Sequence, residues 1–447
     1  MATSPATEKS WLDRLLSLFT DVRAGEGAGA LLLAANVFCL LGFYSMLKVV
    51  REALILSEGG AEIKSYAAAG QALLLLAIVP AYGAFASRVN RLRLVCGVTL
   101  FFASHLILFY LLGMAGVHLG VVFFLWIGIF NIVIIAQFWS FANDLYSNER
   151  GKRLFPLVGL GASLGALAGA GGASFFFSGV GPYRLMLVAA GGLVLPVMLT
   201  LWVSRRERSA NRDVAAERAE QPLAKTGGFQ LVFAQRYLLL IAMLILVLNI
   251  VNTVGEFLLG KMIATEAAAM VASGAAGGVA ARELIGTMAG SVQTWVDLIG
   301  FLLQAFFVSR IFKWIGIRGA LFVLPVIALG TYSAIAVLPL LGIVRVGKIL
   351  ENSTDYSIQN TARHALFLPT SREAKYKAKQ AIDTFFWRAG DLLQAVIVFA
   401  GVRLGFSVRG YAAVNVALVV VWLLLVIAIG REHKKLTGNE ADVEAAA

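Results

Sequence analysis

The chain has little with which to build a metal centre, a disulfide scaffold or a catalytic triad: 2 cysteines and 4 histidines in 447 residues. Cys39 and Cys96 both fall in apolar runs, no ligand set has zinc-like spacing, and none of the histidines, His364 included, stands near a catalytic partner. No metal, cofactor or enzymatic role is therefore expected. Charge is also scarce, at 14% of residues, which excludes a soluble globule of this length. No cleavable signal is expected: the first apolar run is too long for a signal peptide's hydrophobic region, and no convincing small-residue cleavage site goes with it. The surplus of basic residues gives a net charge of +12, but without the aromatic-interleaved basic platform of a nucleic-acid surface.

Present instead are long apolar runs, 59% of residues being hydrophobic at a mean hydropathy of +0.80. Crossing the hydrocarbon core takes about 20 apolar residues. On that measure the sequence predicts an all-α integral membrane protein of about twelve transmembrane helices: 28–47, 66–86, 94–114, 119–141, 154–177, 185–203, 237–259, 285–308, 319–338, 340–360, 382–403 and 411–430. The tenth and eleventh carry the most charge. These divide into an N-terminal segment 1–27, a six-helix half 28–203, a polar linker 204–236, a second six-helix half 237–430 and a tail 431–447. The linker alternates in sign and carries Pro222 and the Gly227-Gly228 break, which suits a short surface helix and an interfacial segment. Most of the 38 Lys and Arg residues fall in alternate loops, which places both termini on the cytoplasmic side of the membrane.

The halves repeat weakly. SRVNRLR after the second span parallels SRIFKWIGIR after the eighth, and SNERGKRLFPLVG after the fourth parallels TSREAKYKAKQAID after the tenth. Six plus six with duplicated basic loops resembles the major facilitator arrangement, which implies that the first, fourth, seventh and tenth helices line a central cavity. Polar residues gather on those four: Lys48, Arg51 and Glu52; Asn131, Gln137, Asn143 and Asp144; Asn249, Asn252, Glu256 and then Lys261; Arg345, Lys348, Glu351, Asn352, Asp355 and Tyr356. Asn249, Asn252 and Glu256, at spacings of three and four, predict one continuous stripe. Outside those helices stand Gln293, Asp297 and Gln304 in the eighth span and Asp383, Arg388 and Asp391 in the eleventh.

An ionisable group at bilayer depth costs several kcal/mol and persists mainly where it serves a pathway or a substrate. Lys48, Arg51, Arg345 and Lys348 beside Glu52, Glu256 and Glu351 suit an anion with several phosphate charges, the carboxylates pairing the cations when it leaves. The plain alternative is that buried charges only pair with one another, as the spacing of Arg388 and Asp391 suggests.

Four ordered segments, from about Phe43 to Asp391, carry a resemblance to the bacterial and plastid ATP/ADP translocases. FYSMLKVVREALILSEGGAEIK is similar to that family's first-helix signature, with Lys48, Arg51 and Glu52 at its Arg, Lys and Asp places and Ala61-Glu62-Ile63 matching outright. FWSFANDLYSNERGKRLFPLVGLGA, the set Asn252, Glu256 and Lys261, and KYKAKQAID resemble its fourth, seventh and eleventh helices. The resemblance implies nucleotide exchange of the ATP/ADP type, with a binding set of Lys48, Arg51, Glu52, Asn143, Asn249, Asn252, Glu256, Lys261, Arg345, Lys348, Glu351 and Asn352. Gating residues would be Glu149, Lys152, Arg153, Lys375, Lys377, Lys379 and Asp383. Nucleotides and lipid are the expected partners and a monomer the expected state. Two departures stand out: Asn360-Thr361-Ala362-Arg363-His364 lacks the carboxylates of the family's tenth-helix end, and 262–284 looks like an Ala/Gly-rich local insertion.

Some features invite other readings. GLGASLGALAGAGGA, residues 159–173, has glycines spaced like a phosphate loop, but no strand precedes it and no GK[ST] follows. Close helix packing is the expectation there. Trp295 and Trp387 read as interfacial anchors, and the tail TGNEADVEAAA as disordered. Competing functions are a proton-coupled facilitator of another organic or phosphorylated anion, with Asp297 or Glu351 carrying the proton, and a non-transporting membrane module that senses nucleotide.

Overall fold

Apolar runs of twenty or more residues satisfy their backbone polar groups in lipid only as helices or closed barrels, and their lack of period-two alternation selects helices. The computed structural model describes residues 10–17, 22–86, 89–146, 148–210, 228–371, 374 and 378–446, and among them there is no strand. The helices are α1 Trp11–Leu16, α2 Gly27–Glu58, α3 Gly60–Ala86, α4 Arg91–Met114, α5 Gly120–Leu145, α6 Asn148–Val180, α7 Pro182–Gly192, α8 Val194–Ala210 and α9 Gly228–Ala234. They continue as α10 Arg236–Ala272, α11 Ala281–Leu302, α12 Val308–Val337, α13 Leu341–Thr354, α14 Asn360–Ala365, α15 Lys379–Ala381, α16 Trp387–Arg403 and α17 Val408–Ala446.

Ten stretches among the described residues are long and apolar enough to span a bilayer. One of these, Ala281–Val337, is two helices: the backbone folds at Gly316, whose φ of 66° favours a residue without a Cβ. With the charged helix that begins at Leu341 the total reaches twelve. The protein is thus a multi-pass membrane protein.

Two sequence expectations change. Residues 262–284 are mostly helix, because α10 runs to Ala272 and α11 starts at Ala281; alanine, the strongest helix former, carries the seventh span past its apolar stretch. The tail is helical to Ala446, where Ala, Glu and Asp continue α17. Of the linker 204–236, residues up to Ala210 continue α8 and Gly228–Ala234 form α9, while 211–227 lie outside the described residues.

The chain forms two compact units, and the sequence passes from one to the other within the linker and at the edges of two shorter segments. The first is Met1–Leu54, Leu75–Glu220 and Arg282–Thr294; the second is Ile55–Leu74, Gln221–Ala281 and Trp295–Ala447. Residues 55–74 are thus grouped with the second half of the sequence and 282–294 with the first.

Two kinds of packing hold the first unit together. Phe102, Phe109, Phe123, Trp126 and Phe130 of α4 and α5 are all buried and meet ring to ring at 5.1 to 5.6 Å between centroids. Opposite this, α2 and α6 approach backbone to backbone. A Cβ at Gly161, Gly165 or Gly169 would stand 2.5, 2.2 or 1.9 Å from the carbonyl oxygens of Ala34, Phe38 and Gly42. The glycine run is therefore a packing face at four-residue spacing, as its sequence context indicated. A third tie is polar: Asn36 Nδ2 donates to Thr200 Oγ1 at 2.7 Å and to Pro196 O at 3.0 Å.

At the start of this unit Ser10 and Asp13 form a capping box on α1. The Asp13 carboxylate also accepts from the amides of Gly25 and Gly27 at 3.1 and 2.8 Å, tying α1 to the entry of α2. Burial opposes its charge, but these hydrogen bonds prevail and hold the carboxyl down at about 2.

In the second unit α10 is the central element, with Leu238, Ile241, Leu244, Leu248, Val254 and Leu258 wholly buried. It packs on α13, α16 and α17, while α12 packs on α13 and α17. Turns of π-helix interrupt the α geometry, among them Leu303–Phe307, Asp355–Gln359 and Ile382–Phe386. Such one-residue insertions re-aim side chains and are frequent at functional sites.

Candidate functional site

Lys348 is the pivot of the second unit. It lies on α13, its side chain is 0% exposed, and its ammonium donates to Asn252 Oδ1 at 2.6 Å, to the Asn252 carbonyl at 3.2 Å and to Glu351 Oε2 at 3.1 Å. Glu256 Oε1 stands 3.6 Å away. Spacing accounts for this: Asn252 and Glu256 share one face of α10, Lys348, Glu351 and Asn352 share one of α13, and the two helices pack. Asn352 Nδ2 donates to Glu256 Oε1 at 2.8 Å, and Lys64 of α3 approaches Glu256 Oε2 at 3.9 Å.

A tyrosine the sequence did not single out completes the cluster. Tyr332 of α12, fully buried, donates to Glu351 Oε2 at 2.9 Å. Gly255 makes room for it, since a Cβ there would sit 2.0 Å from the Tyr332 hydroxyl and 3.1 Å from Lys348 Nζ. Sequence gave a weak hint at most, because a tyrosine in an apolar span is common at membrane interfaces.

The expected stripe on α10 splits in two. Asn249 points to the eleventh span, where its Nδ2 donates to Asp391 Oδ1 at 2.8 Å and to the Trp387 carbonyl at 2.7 Å. Arg388 holds the other Asp391 oxygen at 3.2 Å, the pairing that their i,i+3 spacing suggested. Asn249 at 1% exposure is thus a tie between α10 and α16, separate from Lys348. Lys261, near the end of α10, bonds Glu62 of α3 at 2.7 Å and lies over the Phe257 ring. Arg345 is half-buried one turn before Lys348.

The first unit has its own cationic pair on α2. Lys48 and Arg51, half-buried, share one face. Lys48 Nζ donates to Gln293 Oε1 at 3.0 Å and lies 5.9 Å from the Tyr44 ring; Arg51 meets Glu52 at 2.5 Å and covers the Phe124 ring at 4.9 Å. Gln293, a polar residue outside the four expected helices, is the Lys48 partner that sequence reasoning missed. Its place with Asp297 and Gln304 as a long polar residue of the eighth span was the available signal. Asn143 is exposed at the end of α5.

The expected gating residues scatter over both units. Arg153 on α6 makes a two-pronged contact with Glu26, both bonds at 2.9 Å, and Arg150 Nε is 3.4 Å from the same carboxylate. Burial opposes the Glu26 charge, but the two guanidiniums outweigh it and hold the carboxyl below the usual range. Lys379 and Asp383 pair at 3.1 Å, one turn apart. Lys375 and Lys377 lie outside the described residues, as do the side chains of Asp144, Glu149 and Lys152. Where the family's tenth-helix carboxylates are replaced, Arg363 Nη2 donates to Asn360 Oδ1 at 3.0 Å, and its guanidinium covers the Trp387 ring at 5.0 Å. No group of His, Cys, Asp and Glu that would hold a metal ion occurs among the described residues.

Comparison with known proteins agrees with this chemistry. The family model described as TLC ATP/ADP transporter matches residues 120–433. The chain is 23% identical over 335 residues to ADP,ATP carrier protein 1 of Chlamydia trachomatis, a match covering 66% of this chain and 61% of that protein. It is 20% identical over 515 residues to ADP,ATP carrier protein 1 of Rickettsia bellii, covering 98% of this chain and 99% of that one. Among solved structures, nucleoside transporter NupG superposes with a TM-score of 0.64 at 13% identity, over 90% of this chain and 98% of that chain. At that identity the likeness is one of fold, the major-facilitator-like arrangement of about twelve helices. With the family model matched over more than half its length, the chain belongs to the TLC ATP/ADP transporter family, whose members are membrane transporters and not enzymes.

Proposed function

We propose that the protein exchanges nucleotides of the ATP/ADP type across a bacterial inner membrane by alternating access, with both termini cytoplasmic and a monomer as the working unit. The observation that carries this reading is Lys348: a fully buried ammonium at bilayer depth held by Asn252, Glu256 and Glu351. A hydrophobic residue of similar volume serves stability as well or better, so a buried charge of this kind is better explained by a charged substrate. Lys48 and Arg51 give the other unit cations of the kind that bind phosphate, one a point charge and one a planar fork. Membership of the transporter family and the printed names of the ADP,ATP carrier relatives supply the nucleotide class. In alternating access the cations and their paired carboxylates would hold back the empty carrier, and a bound polyphosphate that displaces those pairings would release it.

Counterflow into liposomes preloaded with nucleoside mono-, di- and triphosphates tests the reading. Labelled ATP or ADP should accumulate only against internal nucleotide, and Lys48→Ala, Arg51→Ala and Glu256→Ala should each abolish uptake while leaving folded protein. Wild-type rates in all three would refute the assigned residues. Uptake that needs no internal nucleotide and collapses with a protonophore would replace exchange by proton-coupled transport, and binding without flux would leave a sensor.

A further inference from the structure

The first unit also holds a cavity of about 430 Å³, lined by neither Lys48 nor Arg51. Ile78, Tyr82 and Phe85 of α3 form one wall and Arg93, Gly97 and Phe101 of α4 another, each trio at the three- and four-residue spacing of one helix face; α5 completes it. Among the described residues that line it, Arg93 alone is charged. Tyr82 alone has another polar side-chain atom, and its hydroxyl is taken by Gln137 Nε2 at 2.6 Å. The rest of the lining is apolar. Its volume is that of a small-molecule site, roughly 300–1,000 Å³, but the converging polar groups that orient a nucleotide or other polar metabolite are not among its lining residues.

An apolar cavity stays dry, and leaving it empty forfeits packing contacts on every side. Phe85 and Phe101 are exposed at its edge, and a Cβ at Gly97 would meet nothing within 4 Å, so the space opens on the surface of the unit. Large apolar side chains exposed on a membrane span belong against hydrocarbon. The fluid at the opening is therefore acyl chain, and α3, the least buried of the ten candidate spans, leaves room for it.

The charged end of the cavity selects among lipids. Arg93 is exposed in the first turn of α4, and residues 87–93 carry three arginines, Arg88, Arg91 and Arg93, with no carboxylate. Charge asymmetry between loops expects this segment at the cytoplasmic surface, where basic pockets between spans take anionic headgroups. A guanidinium holds two phosphate oxygens at once. A zwitterionic lipid offers the same phosphate but brings its own cation beside the arginines.

We propose that this cavity binds one anionic phospholipid, an acyl chain lying between α3 and α4 along Phe85, Gly97 and Phe101 and the headgroup phosphate meeting Arg93. The bound chain holds α3 against α4 and α5. Nucleotide exchange is not needed for any part of this site.

Native mass spectrometry of the full-length, delipidated protein, titrated with phosphatidylglycerol and with phosphatidylcholine of the same chains, reads the site directly. Wild type should bind its first phosphatidylglycerol about five-fold more tightly than its first phosphatidylcholine, the preference that one arginine near a membrane surface confers. Arg93→Gln should bring the two lipids level. Gly97→Phe, whose ring has room to enter the cavity, should remove the tight first adduct of both. Phosphatidylglycerol with a photoreactive group at its chain end should label residues 78–102 in wild type and spare them in Gly97→Phe. Equal affinities in wild type, or a preference unchanged in Arg93→Gln, overturn the proposal at its headgroup. Labelling spread evenly over all the spans, which is ordinary contact with the bilayer, or a first adduct untouched in Gly97→Phe, overturns it at the cavity. Should Gly97→Phe fail to fold, the wild-type labelling pattern decides that point alone.

Discussion

The two units solve the problem of cations in a membrane differently. In the first, Lys48 and Arg51 are half-buried and lean on the Tyr44 and Phe124 rings, Lys48 bonding Gln293 and Arg51 pairing with Glu52. Their surroundings are held by backbone contact along the Gly161, Gly165 and Gly169 face and by the aromatic stack of α4 and α5. In the second unit the charge itself is inside the packing, with Lys348 enclosed by Asn252, Glu351 and Tyr332's partner oxygen. Half-buried cations that lean on rings can meet a ligand at low structural cost. An enclosed ion is part of the unit's stability, and moving it disturbs the fold.

The largest break in that contrast should come from Lys348→Ala. It strands Glu351 and Glu256 without their shared counter-ion, and removal of one partner of a buried pair costs about 3–5 kcal/mol. Thermal unfolding in detergent should show a large fall in Tm, whereas Lys48→Ala, half-exposed and bonded to neutral Gln293, should cost under about 1 kcal/mol while still removing transport. Equal losses in the two variants would erase the distinction. Next in size, Gly169→Val in the first unit forces side-chain atoms into the Gly42 carbonyl and should cost about 1–3 kcal/mol by overpacking. Gly172→Ala, where no neighbour lies within 4 Å of the added carbon, is the control and should be silent.

Smaller again is Arg153→Ala, which takes two hydrogen bonds from Glu26 but leaves Arg150 nearby; a loss of about 1–2 kcal/mol is expected, reduced at high salt. The smallest effect is confined to acid. Asp13 has its folded-state carboxyl at about 2 against an ordinary 3.8, so its contribution is complete above the ordinary value and is lost as pH falls through the folded one. Melting curves of wild type should therefore show a loss of stability between about pH 4 and pH 2 that Asp13→Asn lacks. An identical acid dependence in the two would exclude Asp13 as its source.

Much of the site was legible because helical spacing needs no tertiary information. Asn252 with Glu256, and Lys348 with Glu351 and Asn352, share faces by periodicity alone, and α10 and α13 bring those faces together. Arg388 and Asp391 pair as their spacing suggests. What escaped was any partner on a helix outside the four expected to line the cavity. Gln293 meets Lys48 across 245 residues, Asp391 takes Asn249 out of its stripe across 142, and Tyr332 enters from another helix. The helical reach of the 262–284 segment was hidden because alanine is neither apolar enough to mark a span nor polar enough to mark a loop.

By itself the sequence determined the solvent and the class of element: runs this apolar belong in lipid, and a backbone in lipid must close its own hydrogen bonds. It also determined which residue types were worth burying, since each charge at that depth is selected against unless something holds it. Only the tertiary structure decided which charges are enclosed and which lean on rings. The reason is geometric. A side chain's partner depends on crossing helices and on π-helical turns such as Asp355–Gln359, and neither leaves a mark in local periodicity.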